Sequence, residues 1–215
     1  MNSLIKTLLI FTIVLSSFTA CTQQITDNPT HQTVGGPCQG CEALLEYGNR
    51  KLNSVDTIPG FDNFGPKLKI SGKVYQADGS TPAANVILYF YQTNRDGFYK
   101  PAKGAKGWGK THGQHRTWIK TDKSGSYTLY TFRPAAYPNR REPEHIHLTV
   151  KEPQTNPYYL DSYFFASDTL LTESKKRSLS NRGGSGIIEL KYDKGLFSAE
   201  RDIILGLNIP DYPIK

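Results

Sequence analysis

Arg116-Thr-Trp-Ile-Lys-Thr-Asp122, Lys123-Ser-Gly125 and Ser126-Tyr-Thr-Leu-Tyr-Thr-Phe132 form the stretch that decides the class of fold. Large aromatic and β-branched residues alternate with polar ones on either side of a Lys-Ser-Gly turn. That pattern reads as a hairpin of two half-buried strands. The same period continues outward. Lys67–Gln76 alternates around Leu68, Ile70 and Val74, and Asp78-Gly79 follows as a turn signal. Asn85–Tyr91 is apolar enough to be buried on both faces. His145–Val150 and Tyr159–Phe165 read as further strands, and Ile187–Tyr192 with Asp202–Leu207 as a closing pair. These make about eight strands at the spacing of an antiparallel β-sandwich. The one candidate helix is Cys41–Asn53, and Glu173–Ser185 reads as a polar loop.

The composition agrees. The chain has 215 residues, enough for one domain with a real core plus some tail. It is 37% hydrophobic and carries 13 Tyr and 10 Phe, a bias toward β structure. The net charge is +7, but the lysines and arginines are scattered and no nucleic-acid motif gathers them. Nucleic acid is therefore not an expected partner. A solvated basic surface and mild attraction for anionic substrates both remain open.

The first 20 residues read as a leader rather than as part of the fold. A short basic start precedes an apolar run, Thr7–Phe18, too short to span a bilayer, and then Phe18-Thr-Ala-Cys21. This is the pattern of a bacterial lipoprotein signal. It predicts an exported chain anchored through a lipid on Cys21, and Thr22 behind it is compatible with the outer membrane. Residues 21–66 then form a tether and a short N-terminal segment, and residues 67–215 the β-domain. Within the tether, Cys38-Gln-Gly-Cys41 lacks the second CxxC of a zinc site and the βαβ setting of a thioredoxin motif. In an exported chain it predicts a small local disulfide, Cys38–Cys41.

Chemistry points to Tyr137-Pro-Asn-Arg-Arg-Glu-Pro-Glu-His-Ile-His147. Residues i and i+2 of a strand share a face, so His145 and His147 present two imidazoles together. Alone, such a pair is as readily two polar residues on a solvated face. Two phenols strengthen the metal reading: Tyr137 across a short loop, and Tyr99 at the exit of the Asn85–Tyr91 strand. If that strand neighbours the histidine strand, all four meet. Phenolate is a hard donor suited to a trivalent ion, which argues for Fe(III). Tyr99 also opens a long glycine-rich loop, 98–113, of a length that is usually functional. His112 and His115 in this segment are either solvated or line the mouth of the site, with Arg116 and Trp118 touching substrate.

Several motifs resemble the intradiol ring-cleavage dioxygenases: Gly72-Lys-Val74 with Asp78-Gly79, the Val86–Tyr91 strand, Gly97-Phe-Tyr99, Thr121–Tyr127, Thr131-Phe-Arg-Pro134, Tyr137-Pro138 and His145-Ile-His147. The resemblance spans about half of the chain, Leu68 to Asp168. It implies a prealbumin-like β-sandwich and assigns Tyr99, Tyr137, His145 and His147 as Fe(III) ligands. It further implies O2 and a catechol-like ring as substrates, with Tyr137 displaced to act as a base. The pattern also departs from the family. Glu142 stands at an arginine position and Glu144 at an alanine position, which makes Arg141, one residue off, the candidate catalytic arginine. A glutamine of the next strand is missing, with Asp161 or Ser162 in that region. A prealbumin-like binding module without the reaction, and a metal hydrolase using the same histidines, are the competing readings.

Overall fold

Lys123–Gly125 does turn the chain, but the two strands it joins do not pair with each other. In the computed structural model, which describes residues 33–213, β1 is Val55–Thr57, β2 Lys67–Tyr75, β3 Ile87–Gln92, β4 Arg116–Lys120 and β5 Ser126–Phe132. Strand β4 pairs antiparallel with β3, whereas β5 pairs with β2 and β1. The expected hairpin is thus an arch that carries the chain from one sheet to the other. Asp122 makes the corner, its carboxylate accepting from the amides of Ser124 and Ser126 at 2.8 and 2.9 Å. Alternation in sequence is the same for a hairpin and for an arch, so the pattern alone could not separate them.

The remaining strands are β6 (His145–Lys151), β7 (Tyr158–Phe165), β8 (Ile187–Ile188), β9 (Lys191–Asp193), β10 (Leu196–Glu200) and β11 (Ile203–Ile204). One sheet runs β1-β5-β2-β10-β9, with β11 also on β2; the other runs β4-β3-β6-β7-β8. The all-β sandwich is as expected, with eleven strands among the described residues. It is not purely antiparallel: β1 with β5, β10 and β11 with β2, and β8 with β7 are parallel. The expected final pair does not form either. Ile187–Tyr192 splits, β8 joining one sheet and β9 the other, and β10 was not anticipated from its weak alternation.

Between the sheets, Leu68, Ile70 and Leu129 pack against Leu88, Phe90, Ile146 and Val150, all fully buried. A fully buried side chain of this kind contributes about 1.5–3 kcal/mol. The second sheet is also covered on its outer face. A 3-10 helix, Cys41–Tyr47, lays Ala43 and Leu44 on Tyr89 and Trp118. It replaces the longer helix expected over 41–53, and Gly48 at φ 59° follows it. The stretch read as a loop at 173–185 contains a helix, α1 (Glu173–Ser178), whose first turn is capped by Thr172 accepting from the Lys175 amide. Cys38 and Cys41 form the expected disulfide. The leader and Cys21 lie outside the described residues, and among the described residues no helix is long and apolar enough to cross a membrane.

Candidate metal centre

The outer face of β6 holds His145 and His147. Strand β3 is its neighbour, with Tyr91 opposite His147, which meets the condition set by the sequence. Beyond β3 the chain turns on Asn94, whose side-chain oxygen accepts from the amides of Asp96 and Phe98, and delivers Tyr99. The loop that carries Tyr137 is stitched to the same turn. Thr93 Oγ donates to the Ala135 carbonyl at 2.7 Å, and the Ala135 amide to the Asn94 carbonyl at 3.2 Å.

Four polar atoms converge there. Tyr99 Oη is 2.6 Å from Tyr137 Oη and 2.8 Å from His147 Nε2. Tyr137 Oη is 3.1 Å from His145 Nε2 and 3.3 Å from His147 Nε2, and the two imidazole nitrogens are 3.1 Å apart. The tautomer of His145 is set from behind. Its Nδ1 donates to the Pro143 carbonyl at 2.7 Å, so the lone pair on Nε2 faces the cluster.

The charge states follow from burial. Desolvation, then neighbouring His145 and His112, push His147 well below the usual imidazole range; desolvation also lowers His145. Burial raises Tyr99 far above the usual phenol range, with Tyr137 adding to it, and burial raises Tyr137. Four neutral donors thus face one point, and no carboxylate is among them. Among the described residues no three His, Cys, Asp or Glu side chains form a metal-holding group. This cluster is of another kind, N2O2. Bonds of about 2.0–2.2 Å to a first-row ion place neighbouring ligand atoms about 2.8–3.5 Å apart, and the observed spacings largely match. A cation at the centre would also bring the phenols down to phenolate. The residues fit a hard, highly charged ion.

None of the other residues singled out from the sequence contributes an atom to this convergence. Arg141 is exposed, and it is Arg140 whose guanidinium lies over the Tyr137 ring, at 5.8 Å. Trp118 is buried, its indole N–H donating to the Leu44 carbonyl at 2.8 Å, so it packs the outer-face core rather than meeting a substrate. Arg116 is held by Glu46 at 2.6 Å and lies over Trp118. Neither His112 nor His115 is solvated. His115 contacts the Pro59 carbonyl and packs on Phe64 and Phe132 in the main core. His112 is buried against Tyr91, and desolvation lowers it to about 4. Both glutamates of the Tyr137–His147 stretch are paired: Glu142 with Lys175 of α1 at 2.7 Å, and Glu144 with Arg133.

Two more residues border the site: Tyr91, which the sequence did not single out, and Ser162, which it left as an alternative to Asp161. Tyr91 stacks on His147, and its place two residues after Tyr89 on one strand face was the available signal. Ser162 owes its place to a β-bulge. Ile146 pairs with Tyr163 and Leu148 with Leu160, so two residues of β7 stand opposite His147. Asp161 turns away and accepts from the Asn181 amide, while Ser162 Oγ comes to 3.4 Å from His147 Nδ1. Next to His147 lies a cleft of about 200 Å³, whose lining includes Tyr91, Tyr159, Ser162, Cys38 and Gly40.

A sequence model of the dioxygenase family matches residues 45–184. The chain belongs to the intradiol ring-cleavage dioxygenase family. Solved structures share its fold. The dioxygenase domain of a dioxygenase–carbohydrate-binding protein fusion from Streptomyces sp. SirexAA-E is 21% identical, with a TM-score of 0.53 over 83% of this chain and 98% of that one. The 3-chlorocatechol 1,2-dioxygenase of Rhodococcus opacus 1CP is 19% identical, with a TM-score of 0.53 over 74% and 68%. Catechol 1,2-dioxygenase of Acinetobacter sp. ADP1 is 19% identical, with a TM-score of 0.54 over 77% and 62%. No curated protein matches the chain.

Proposed function

We propose that the chain is a non-haem Fe(III)-dependent intradiol dioxygenase acting on a catechol-like aromatic ring. The observation that carries this is the convergence of Tyr99 Oη, Tyr137 Oη, His145 Nε2 and His147 Nε2 within 2.6–3.3 Å of their neighbours. Those four atoms would hold the ion. When bound, Fe(III) supplies electron withdrawal from an aromatic diol, which opens a hydroxylated ring carbon to O2.

The protein's own groups do the rest. His145, locked by the Pro143 carbonyl, and His147 keep their lone pairs on the centre. Tyr137 is carried by the irregular segment between β5 and β6, and with the ion in place its Oη would be the group that accepts a proton from the diol. The charge of Arg140, over the Tyr137 ring, favours the phenolate form, while the charge of Glu142 opposes it. The cleft beside His147 takes the ring, with Tyr91 and Tyr159 as apolar walls and Ser162 as a polar contact. On this reading the leader exports the chain and a lipid on Cys21 holds it at the cell envelope; loss of labelled-palmitate incorporation in Cys21→Ser tests that part.

The main test is spectroscopic and then catalytic. Iron-loaded protein should be red-brown from tyrosinate-to-iron charge transfer, and Tyr137→Phe should move the band. Oxygen uptake with a panel of catechols should follow, giving muconate-type diacids. A colourless protein that takes up no iron and consumes no O2, yet binds a small ligand, would sink the enzyme reading in favour of a binding module.

A further inference from the structure

The two histidines of the centre are oriented by different means. A ligand imidazole needs its ring plane set, and this is usually done by a hydrogen bond to the nitrogen away from the metal. His145 has that bond, to the Pro143 carbonyl at 2.7 Å. His147 lacks a comparable one: its Nδ1 has Ser162 Oγ at 3.4 Å, the outer limit of such a contact. Since the histidine χ2 torsion is broad, something else must hold the plane.

A column of rings does so. Tyr91 stacks on His147 with centroids 4.3 Å apart and planes 12° from parallel. On its other face Tyr91 stacks on His112 at 3.9 Å and 5°. His112 is in turn fixed on three sides. Tyr89 Oη lies 2.9 Å from its Nδ1, the Trp108 ring is 5.0 Å away, and the backbone of Gly40 closes the third side. Gly40 comes so near, at φ 83°, that a Cβ there would stand 2.9 Å from His112 Nε2. Gly40 belongs to the disulfide-closed segment Cys38–Cys41, and that segment precedes residue 45, where the family match begins. One side of the buttress thus comes from the N-terminal segment, and the other two, Tyr89 and Trp108, from within the matched residues.

We propose that Tyr91 is a positioning residue that sets the ring plane of His147 by stacking, with His112 as its backing. The His147 end of this inference rests on the ferric reading above; the stack itself does not. The ring does the work, so the hydroxyl of Tyr91 is dispensable.

The experiment compares Tyr91→Leu with Tyr91→Phe, and His112→Leu as a second route to the same column. In iron-loaded protein, Tyr91→Leu should shift the charge-transfer band and weaken iron binding about 10–100-fold, while Tyr91→Phe keeps both near wild type. His112→Leu should shift the band in the same direction, which covers the case in which Tyr91→Leu does not fold. A wild-type band left unchanged in position and affinity by the leucine variants overturns the proposal. If wild-type protein forms no band, the ferric reading has failed, and the stack is read in metal-free protein by a double-mutant thermal cycle of Tyr91→Leu with His147→Leu. Non-additive melting shifts support the stack there, and additive ones overturn it.

Discussion

Tyr99 Oη and Tyr137 Oη lie 2.6 Å apart, brought together from positions 38 residues apart in the chain. Burial keeps both phenols protonated, Tyr99 most of all. Binding as phenolates must therefore release protons. The direction is fixed: deprotonation is easier at higher pH, so iron affinity should rise with pH, by up to about tenfold per unit for each proton released. Chelator competition between pH 6 and 8 measures this. A flat profile would mean that neither tyrosine enters as phenolate.

Gly97 separates the two tyrosine loops. It adopts φ 81°, and a Cβ there would overlap the Ala136 carbonyl, the residue before Tyr137. Alanine costs about 1 kcal/mol in that backbone region and adds the clash. The loop must then retreat, taking Tyr137 from Tyr99. Gly97→Ala should lose the visible iron band while still melting cooperatively. A retained band at wild-type intensity would show that the loop tolerates the added methyl.

Some of this was legible in the sequence, and the reasons are local. His145 and His147 share a face because strands have period two, and Tyr99 and Tyr137 sit at strand exits flanked by turn residues. Such features survive folding whatever the distant contacts. What escaped depended on pairing. Asp122–Gly125 looks like a hairpin turn, and only the partners of β4 and β5 reveal an arch between sheets. His112 and His115 sit among glycines and lysines, so their segment reads as solvent-exposed. Both are buried because Gly40 and Pro59, far away in sequence, close over them. Ser162 faces His147 through a bulge that alternation does not announce.

The charged residues of the Tyr137–His147 stretch follow the same rule. Glu142 stands where the resemblance places arginine, yet the charge beside it comes from Lys175, whose ammonium also lies 5.5 Å over Phe164 next to His145. Lys175→Ala should therefore leave Glu142 without its cation close to the centre. On the proposed function, negatively charged catechols should then lose more in kcat/KM than neutral ones, with the iron band intact. Equal losses for both classes would place the pair outside the substrate's reach.

The outer-face cover hangs on Glu46. Its carboxylate accepts from Arg116 Nη1 at 2.6 Å and from the Trp108 amide at 2.8 Å, tying the 3-10 helix to β4 and to the loop beside His112. Burial alone would raise its pKa, but the hydrogen bonds from Arg116 and the Trp108 amide outweigh that and hold the carboxyl below its usual range. A depressed folded-state pKa contributes stability above the unfolded value of about 4.3, and loses it as the pH falls through the folded one. Glu46→Gln should cost about 1–2 kcal/mol at pH 7, a few degrees in Tm for a domain of this size. The gap between variant and wild type should begin to narrow as the pH falls past the unfolded value and close only below the lowered folded one, where the wild-type carboxyl is protonated too. Paired thermal melts from pH 3 to 7 check this, and a gap independent of pH would assign the loss to shape rather than charge.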